Sequence, residues 1–264
     1  MEKKEKRINA ILNLLKEQRK ITIKECAKNI KVSEMTIRRD LMLIQSNNIA
    51  SLNNGLITYN PNNKGIIFQN YNLRVEKNVR SEEKNAIGKF AASLVEPNDT
   101  IIFDTGTTTV HIARNLPPDI NLTALCFNTN VLLELCRNPN ISLLFAGGFY
   151  HKNAQMFESK HGIEFIRELR ANKVFVSAAG IHSQMGLTCS NNYEIETKKA
   201  IIASALERIL VTDSSKFGQI RSSFFCNLSE INTIVTDSNL SKEWVNLIHE
   251  KNIKLYQVPC ENNL

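Results

Sequence analysis

Residues 32–41 read VSEMTIRRDL, two adjacent arginines set among apolar and small polar side chains. An arginine pair is ordinarily a solvated helix face, so its surroundings decide whether Arg38 and Arg39 grip something negatively charged. Upstream, Ile8, Ile11, Leu12, Leu14 and Leu15 recur at helical spacing and predict a first helix from near Lys4 to near Glu17. TIKE at 22–25 reads as a capping box, in which Thr22 accepts an orphan N–H and Glu25 reaches back. The second helix it opens turns Cys26, Ala27 and Ile30 to the core. KVS at 31–33 makes the turn, and Ser33 is a good N-cap for a third helix. On that helix Met35, Leu41 and Ile37 or Ile44 are expected inside, with Glu34, Thr36, Arg38 and Arg39 outside.

Two short helices joined by a tight turn match the helix-turn-helix unit, whose second helix enters the DNA major groove. IASLNNGLITY at 49–59 alternates around Asn54-Gly55, a dipeptide suited to a type I′ hairpin turn. Three helices plus a hairpin make a winged helix-turn-helix over residues 1–60. Its expected partner is double-stranded operator DNA, met by Ser33, Glu34, Thr36, Arg38 and Arg39 on the helix and by Asn53 and Asn54 at the wing tip.

Charge supports that division. Residues 1–60 carry 12 Lys/Arg against 6 Asp/Glu, a net of +6, whereas residues 61–264 hold the other 21 and 20, a net of +1. A basic head on a nearly neutral body suits an anionic polymer as partner for the head. At 264 residues and 42% hydrophobic content the chain can bury one large domain and a small one. It has no run approaching the ~20 apolar residues of a membrane span, and MEKKEKRINA has no apolar signal core, so the cytoplasm is the expected location. The six cysteines show neither C-x-x-C pairing nor metal-ligand spacing with histidine; reduced thiols, and neither metal nor cofactor, are expected.

Residues 61–80 read as a connector, polar at first with Pro61 and Gly65, before a helical pattern from Ser81 (Ala86, Ile87, Phe90, Ala91, Leu94) that ends ahead of Pro97. Over 81–264 the runs TIIFD, LTALCF, ISLLFAGG, KVFVSAAG, RILVTD and TIVTD alternate with amphipathic stretches. That is the α/β signature of a mostly parallel, Rossmann-like sheet, whose ligands bind at the C-terminal ends of the strands. FDTGTTT at 103–109 ends a strand at Asp104, turns at Gly106 and opens a helix with three threonines. Backbone N–H groups and hydroxyls at such a junction suit a phosphate. The loop lacks the lysine and spacing of a Walker A motif and is not G-x-G-x-x-G, which argues against ATP and dinucleotides. Asp104, an anion itself, is left to hold a sugar hydroxyl or the loop. GLTCSNNYEIETKK adds Glu194, Glu196 and Lys198 at a loop-to-helix junction, and VTDSSKFG places Lys216 just past a strand. Carboxylates beside a lysine hold sugar hydroxyls and a phosphate, or move protons in an aldose–ketose isomerisation. His111, His151, His161 and His182 are scattered without paired ligand spacing, His151 and His182 being candidates for polar groups of a pocket.

VSEMTIRRDL resembles the recognition-helix signature of the DeoR family of bacterial transcriptional regulators. The wing departs from the family's basic R-x-H-G-G, reading SLNNGL instead. DTGTTT, AGG, SAAGIH, GLTC and DSSKFG are similar to the family's effector domain, which is related to ribose-5-phosphate isomerase and binds phosphorylated sugars. The resemblance runs through nearly the whole chain and implies a repressor released by a phosphorylated sugar, 2-deoxyribose 5-phosphate being the inducer implied. Carried over by position, phosphate contacts fall on Asp104, Thr105, Gly106, Thr107, Thr108, Thr109 and Lys216, and contacts to the sugar on Asn128, Asn130, Gly180, Glu194 and Lys198. A homo-oligomer, dimer or higher, is expected, because one short recognition helix reads few base pairs. The alternative is a sugar-phosphate isomerase-like enzyme with an appended DNA-binding head; the head favours regulation, since an isomerase needs no winged helix, and no catalytic residue is assigned.

Overall fold

The computed structural model describes residues 2–45, 50–53, 55–59, 73 and 79–259. The chain divides into two compact units, Met1–Phe68 and Gln69–Leu264. Most of the connector expected at 61–80, and Asn54 in the wing, lie outside the described residues.

In the first unit α1 (Glu2–Gln18), β1 (Lys20–Thr22), α2 (Ile23–Ile30) and α3 (Glu34–Gln45) precede β2 (Ala50–Asn53) and β3 (Leu56–Tyr59). The Thr22 hydroxyl accepts from Glu25 N–H at 3.2 Å, and Glu25 Oε2 accepts from Thr22 N–H at 3.1 Å, closing the capping box. Lys31 takes the left-handed conformation (φ 59°) that ends α2, and Ser33 Oγ accepts from Thr36 N–H at 3.3 Å to start α3. Ile37 and Leu41 are buried against Ile11, Leu15, Cys26 and Ala27.

Met35 is 70% exposed, contrary to the sequence expectation. Asp40 takes an inward position with Leu41, because Arg7 of α1 donates to it at 2.5 Å (Nε) and 3.2 Å (Nη2). A charge in the inward stripe was not anticipated, and it sets the phase of the helix. The side chains of Ile8 and Ile44 lie outside the described residues. The wing contains one strand more than expected: β1 joins the hairpin in a sheet of order β1-β3-β2, with Ile21 opposite Ile57. Gly55 sits at φ +79°, which a glycine adopts without strain, and its carbonyl accepts from Ile23 N–H at 2.9 Å, tying the hairpin to α2.

The second unit opens with α4 (Ser81–Ala92), β4 (Thr100–Phe103), α5 (Thr109–Arg114), β5 (Leu122–Cys126), α6 (Thr129–Leu135) and β6 (Ile141–Phe145). After the two-stranded arm β7 (Phe149–His151) and β8 (Met156–Glu158) come α7 (Lys160–Glu168) and β9 (Ala171–Val176). Next are β10 (Gly180–His182), β11 (Gly186–Cys189), α8 (Ile195–Ala203), β12 (Ala205–Val211), β13 (Ser223–Cys226), β14 (Thr233–Asp237), α9 (Lys242–Glu250) and β15 (Lys254–Val258). All six anticipated strands are present. The seventh, β15, and the small antiparallel sheet β10-β11-β13 were not anticipated.

The large sheet is wholly parallel, in the order β15-β14-β12-β9-β4-β5-β6. Alternate residues of each strand supply two cores: Ile102, Val174, Leu210 and Ile234 on one face, Ile101, Phe103, Phe175 and Val211 on the other. At Gly88 in α4 an added Cβ would lie 2.4 Å from the His111 Cβ, so only glycine lets α4 and α5 pack this closely. From β4 the chain winds outward through β5 and β6, then crosses back to β9 on the other side. The β4/β9 boundary is thus the topological switch point, where open α/β sheets bind ligands.

Candidate functional site

In the first unit, Ser33, Glu34, Arg38 and Arg39 are exposed and Thr36 is half-buried. Ser33 and Thr36 are engaged with each other through their hydroxyls at 2.9 Å, so both contribute to the cap. Arg38 and Arg39 are followed by the buried Asp40, which pairs with the part-exposed Arg7. Asn53 pairs with Leu56 across the two-residue loop; its side chain and all of Asn54 lie outside the described residues.

In the second unit, the switch point opens into a cleft lined by Thr105–Thr108 after β4, Ser177–Ala179 after β9, and Asp213 and Lys216 after β12. Asp104 is fully buried and spends its carboxylate on the structure around it. Oδ1 accepts from Thr105 N–H at 2.8 Å, and Oδ2 from Ser177 N–H at 2.9 Å, from Ser177 Oγ at 3.1 Å and from Lys198 Nζ. Of the two roles left open for Asp104, this geometry is that of holding the loop. Lys198, 1% exposed, also donates to the Ser177 carbonyl at 2.9 Å. Burial would pull its pKa down, but Asp104 and Glu194 together hold it above the ordinary lysine value, so it stays an ammonium.

The loop is therefore braced from behind, and its buried front lines the cleft. Among the described residues, no acceptor takes the N–H groups of Gly106, Thr107 and Thr108, and no partner bonds the Thr107 and Thr108 hydroxyls. Three N–H donors and two hydroxyls so arranged form a ready anion cradle. Thr105 and Thr109 point elsewhere, donating to Ala154 O and Gly106 O, both at 3.2 Å.

Among the described residues four cations line the same cleft: Lys198, Lys216, Lys84 from α4 and Arg221. Lys84 and Arg221 were missed in the sequence because they stand 21 and 116 positions from Thr105, with no motif linking them. Ser177, which bonds Asp104, was missed for the same reason. Glu194 enters from the far side, accepting from Asn191 Nδ2 at 2.6 Å. Burial pushes its carboxyl above the ordinary value, against the pull of Lys198. Cys189 is also buried there, its thiol pushed up to about 12, so a neutral S–H faces the cleft.

Five of the residues carried over from the resemblance stand outside this lining: Asp104 and Thr109, whose bonds are given above, and Asn128, Asn130 and Gly180. Asn128 caps α6, accepting from Val131 N–H at 3.0 Å and donating to the Asp104 carbonyl at 3.3 Å. Asn130 donates to the Gly106 carbonyl at 2.9 Å, a second brace on the loop. Gly180 sits in β10, where an added Cβ would lie 2.7 Å from the Gln219 carbonyl. His151 stacks on Tyr193 at 3.6 Å, and His182 Nδ1 accepts from Gln184 and Met185 N–H groups at 3.2 Å; neither lines the cleft. Among the described residues no cluster of His, Cys, Asp and Glu is arranged to hold a metal ion, and no helix is long and apolar enough to cross a membrane.

Two family models match the chain: the DeoR-like helix-turn-helix domain over residues 7–60 and the DeoR C terminal sensor domain over residues 79–238. The deoxyribose operon repressor of Escherichia coli (strain K12) is 34% identical over 255 residues, covering 96% of this chain and 98% of that protein. The HTH-type transcriptional regulator GolR of Listeria innocua is 33% identical over 237 residues, covering 89% and 91%. Among solved structures, ribose 5-phosphate isomerase A from Methanocaldococcus jannaschii is 16% identical with a TM-score of 0.38, over 51% of this chain and 53% of that one, a likeness too slight to carry function. With both of its domains matched, and relatives aligned along almost its whole length, the chain belongs to the DeoR family of helix-turn-helix transcriptional regulators.

Proposed function

We propose that this protein is a transcriptional repressor that binds operator DNA through Arg38 and Arg39 of α3 and is released by a phosphorylated sugar seated at the switch point of its sheet. The observation that carries the second half is the front of the 104–109 loop. Its N–H groups and hydroxyls face a cleft that also receives Lys84, Lys216 and Arg221. Phosphate oxygens accept from such donors in short, charge-assisted bonds. Glu194, Lys198 and Ser190 line the part of the cleft assigned to the sugar hydroxyls. Similarity to the deoxyribose operon repressor supports 2-deoxyribose 5-phosphate as the inducer.

Asp104 is unsuited as a general base, which needs a carboxylate oxygen open to the substrate's proton, because both of its oxygens are committed to Thr105, Ser177 and Lys198. The helix-turn-helix head, for which an isomerase has no use, favours regulation over the isomerase alternative. A thermal-shift series tests the assignment, because a ligand of the folded state stabilises it according to its concentration over its Kd. Stabilisation by 2-deoxyribose 5-phosphate and not by deoxyribose is expected. Equal shifts with both, or none with any pentose phosphate, would remove the phosphate site.

A further inference from the structure

The cleft is wired to the end of the connector. Arg80, the residue before α4, is held in the left-handed conformation (φ 52°, ψ 48°), which non-glycine residues avoid, and gives α4 no side-chain cap. Among the described residues three side-chain contacts hold the Val79–Arg80 turn, beside the backbone bond from Lys84 N–H to the Arg80 carbonyl at 3.1 Å. Lys84 donates Nζ to the Val79 carbonyl at 2.7 Å, Arg80 Nη1 pairs with Glu83 at 3.5 Å, and Arg80 Nε lies 3.8 Å from Asp213 Oδ1. Two of the three end on residues that line the cleft, Lys84 and Asp213. Lys84 is 2% exposed, so its ammonium is confined between the turn and the cleft. Val79 and Arg80 themselves are exposed, with little apolar burial to hold them should these contacts be redirected.

We propose that the Val79–Arg80 turn is the switch by which a phosphorylated sugar in the cleft acts on the connector to the DNA-binding unit. This rests on the reading above. A phosphate dianion on the 104–109 loop competes with the Val79 carbonyl for the Lys84 ammonium. It also draws on Lys216, three residues beyond Asp213 on the same loop. With Lys84 and the Asp213 loop turned to the ligand, the strained turn loses two of its three side-chain contacts and relaxes. The ligand then favours the relaxed state, and such a difference in affinity between two states is what shifts an equilibrium.

Arg80→Gln separates this from simple occupancy, because Arg80 lies outside the cleft lining and its loss unties the turn without ligand. In the full chain, the operator Kd is expected to rise about fivefold or more before any ligand is added. By reciprocity, calorimetric affinity for 2-deoxyribose 5-phosphate should be kept or strengthened, and the further effect of that ligand on DNA should shrink. Arg80→Lys, which keeps a cation beside Asp213, should restore both operator affinity and release. An Arg80→Gln protein that binds operator and releases it at the same ligand concentration as the unaltered chain would overturn the proposal. So would Arg80→Lys behaving as Arg80→Gln does. If the unaltered chain is released by no phosphorylated sugar, the underlying reading has failed instead, and the switch with it.

Discussion

Lys198 and Asp104 neutralise each other inside the switch point of the sheet, joined by a direct Nζ–Oδ2 bond with both side chains out of solvent. Their bond makes the 104–109 loop a fixed feature of the fold. Asp104 ties the end of β4 to Ser177 at the end of β9, and Lys198 compensates the charge that does the tying. Asp104→Asn leaves the ammonium buried without its closest counter-charge, a change that costs about 3–5 kcal/mol when a buried pair is broken. Chemical denaturation of the full chain should show that loss, accompanied by loss of sugar-phosphate binding. A variant of unchanged stability would show the pair to be dispensable.

Glu194 gives the molecule a pH signature of definite sign. Because burial raises its pKa in the folded state, the folded chain holds that proton more tightly than the unfolded chain does. Stability from this group is therefore present below the ordinary glutamate pKa of about 4.3 and falls as pH rises through the window above it. Glu194→Gln keeps an oxygen to accept from Asn191 and removes the ionisation. The variant should gain on the unaltered protein as pH is raised above that window's lower edge, and the difference should vanish at acid pH. Denaturation midpoints compared at several pH values check this; a gap that widens toward low pH would contradict it.

For the DNA-binding unit, Arg38→Ala and Arg39→Ala should weaken operator binding while leaving the fold intact, since both side chains are exposed. Loss of a bidentate base contact removes about 1–3 kcal/mol together with discrimination at that position. Loss of a phosphate contact weakens all sequences alike and lowers the salt slope by about one. Binding isotherms on operator and unrelated duplexes over a salt series distinguish these outcomes. Undiminished affinity with both arginines removed would return them to ordinary solvated surface.

What the sequence made legible was local. The Thr22–Glu25 box, the Ser33 cap and the β4-to-α5 turn each depend on residues within a few positions, where the chemistry of caps and turns is spelled out directly. What it hid was partnership at a distance. Met35 was placed inside because the apolar pattern gave no sign that Asp40 would take an inward position, and only Arg7, 33 residues upstream, makes that burial tolerable. Asn128 and Asn130 carry the polar chemistry of sugar ligands, yet the fold turns them onto the loop's own carbonyls. Lys84 and Arg221 reach the cleft from α4 and from the segment before β13, which only the three-dimensional winding brings together. The strand at 254–258 was hidden because Lys254 and Gln257 break its apolar run.

A phosphate seated at the 104–109 loop should release DNA, and the most direct test is titration of operator-bound protein with 2-deoxyribose 5-phosphate, ribose 5-phosphate and unphosphorylated deoxyribose. The phosphorylated deoxyribose is expected to release the operator and the unphosphorylated sugar to leave it bound. Lys216→Ala should still hold the operator yet need roughly tenfold or more inducer, the worth of one charge-assisted bond. Release by deoxyribose at the same concentration as by its phosphate would contradict the account.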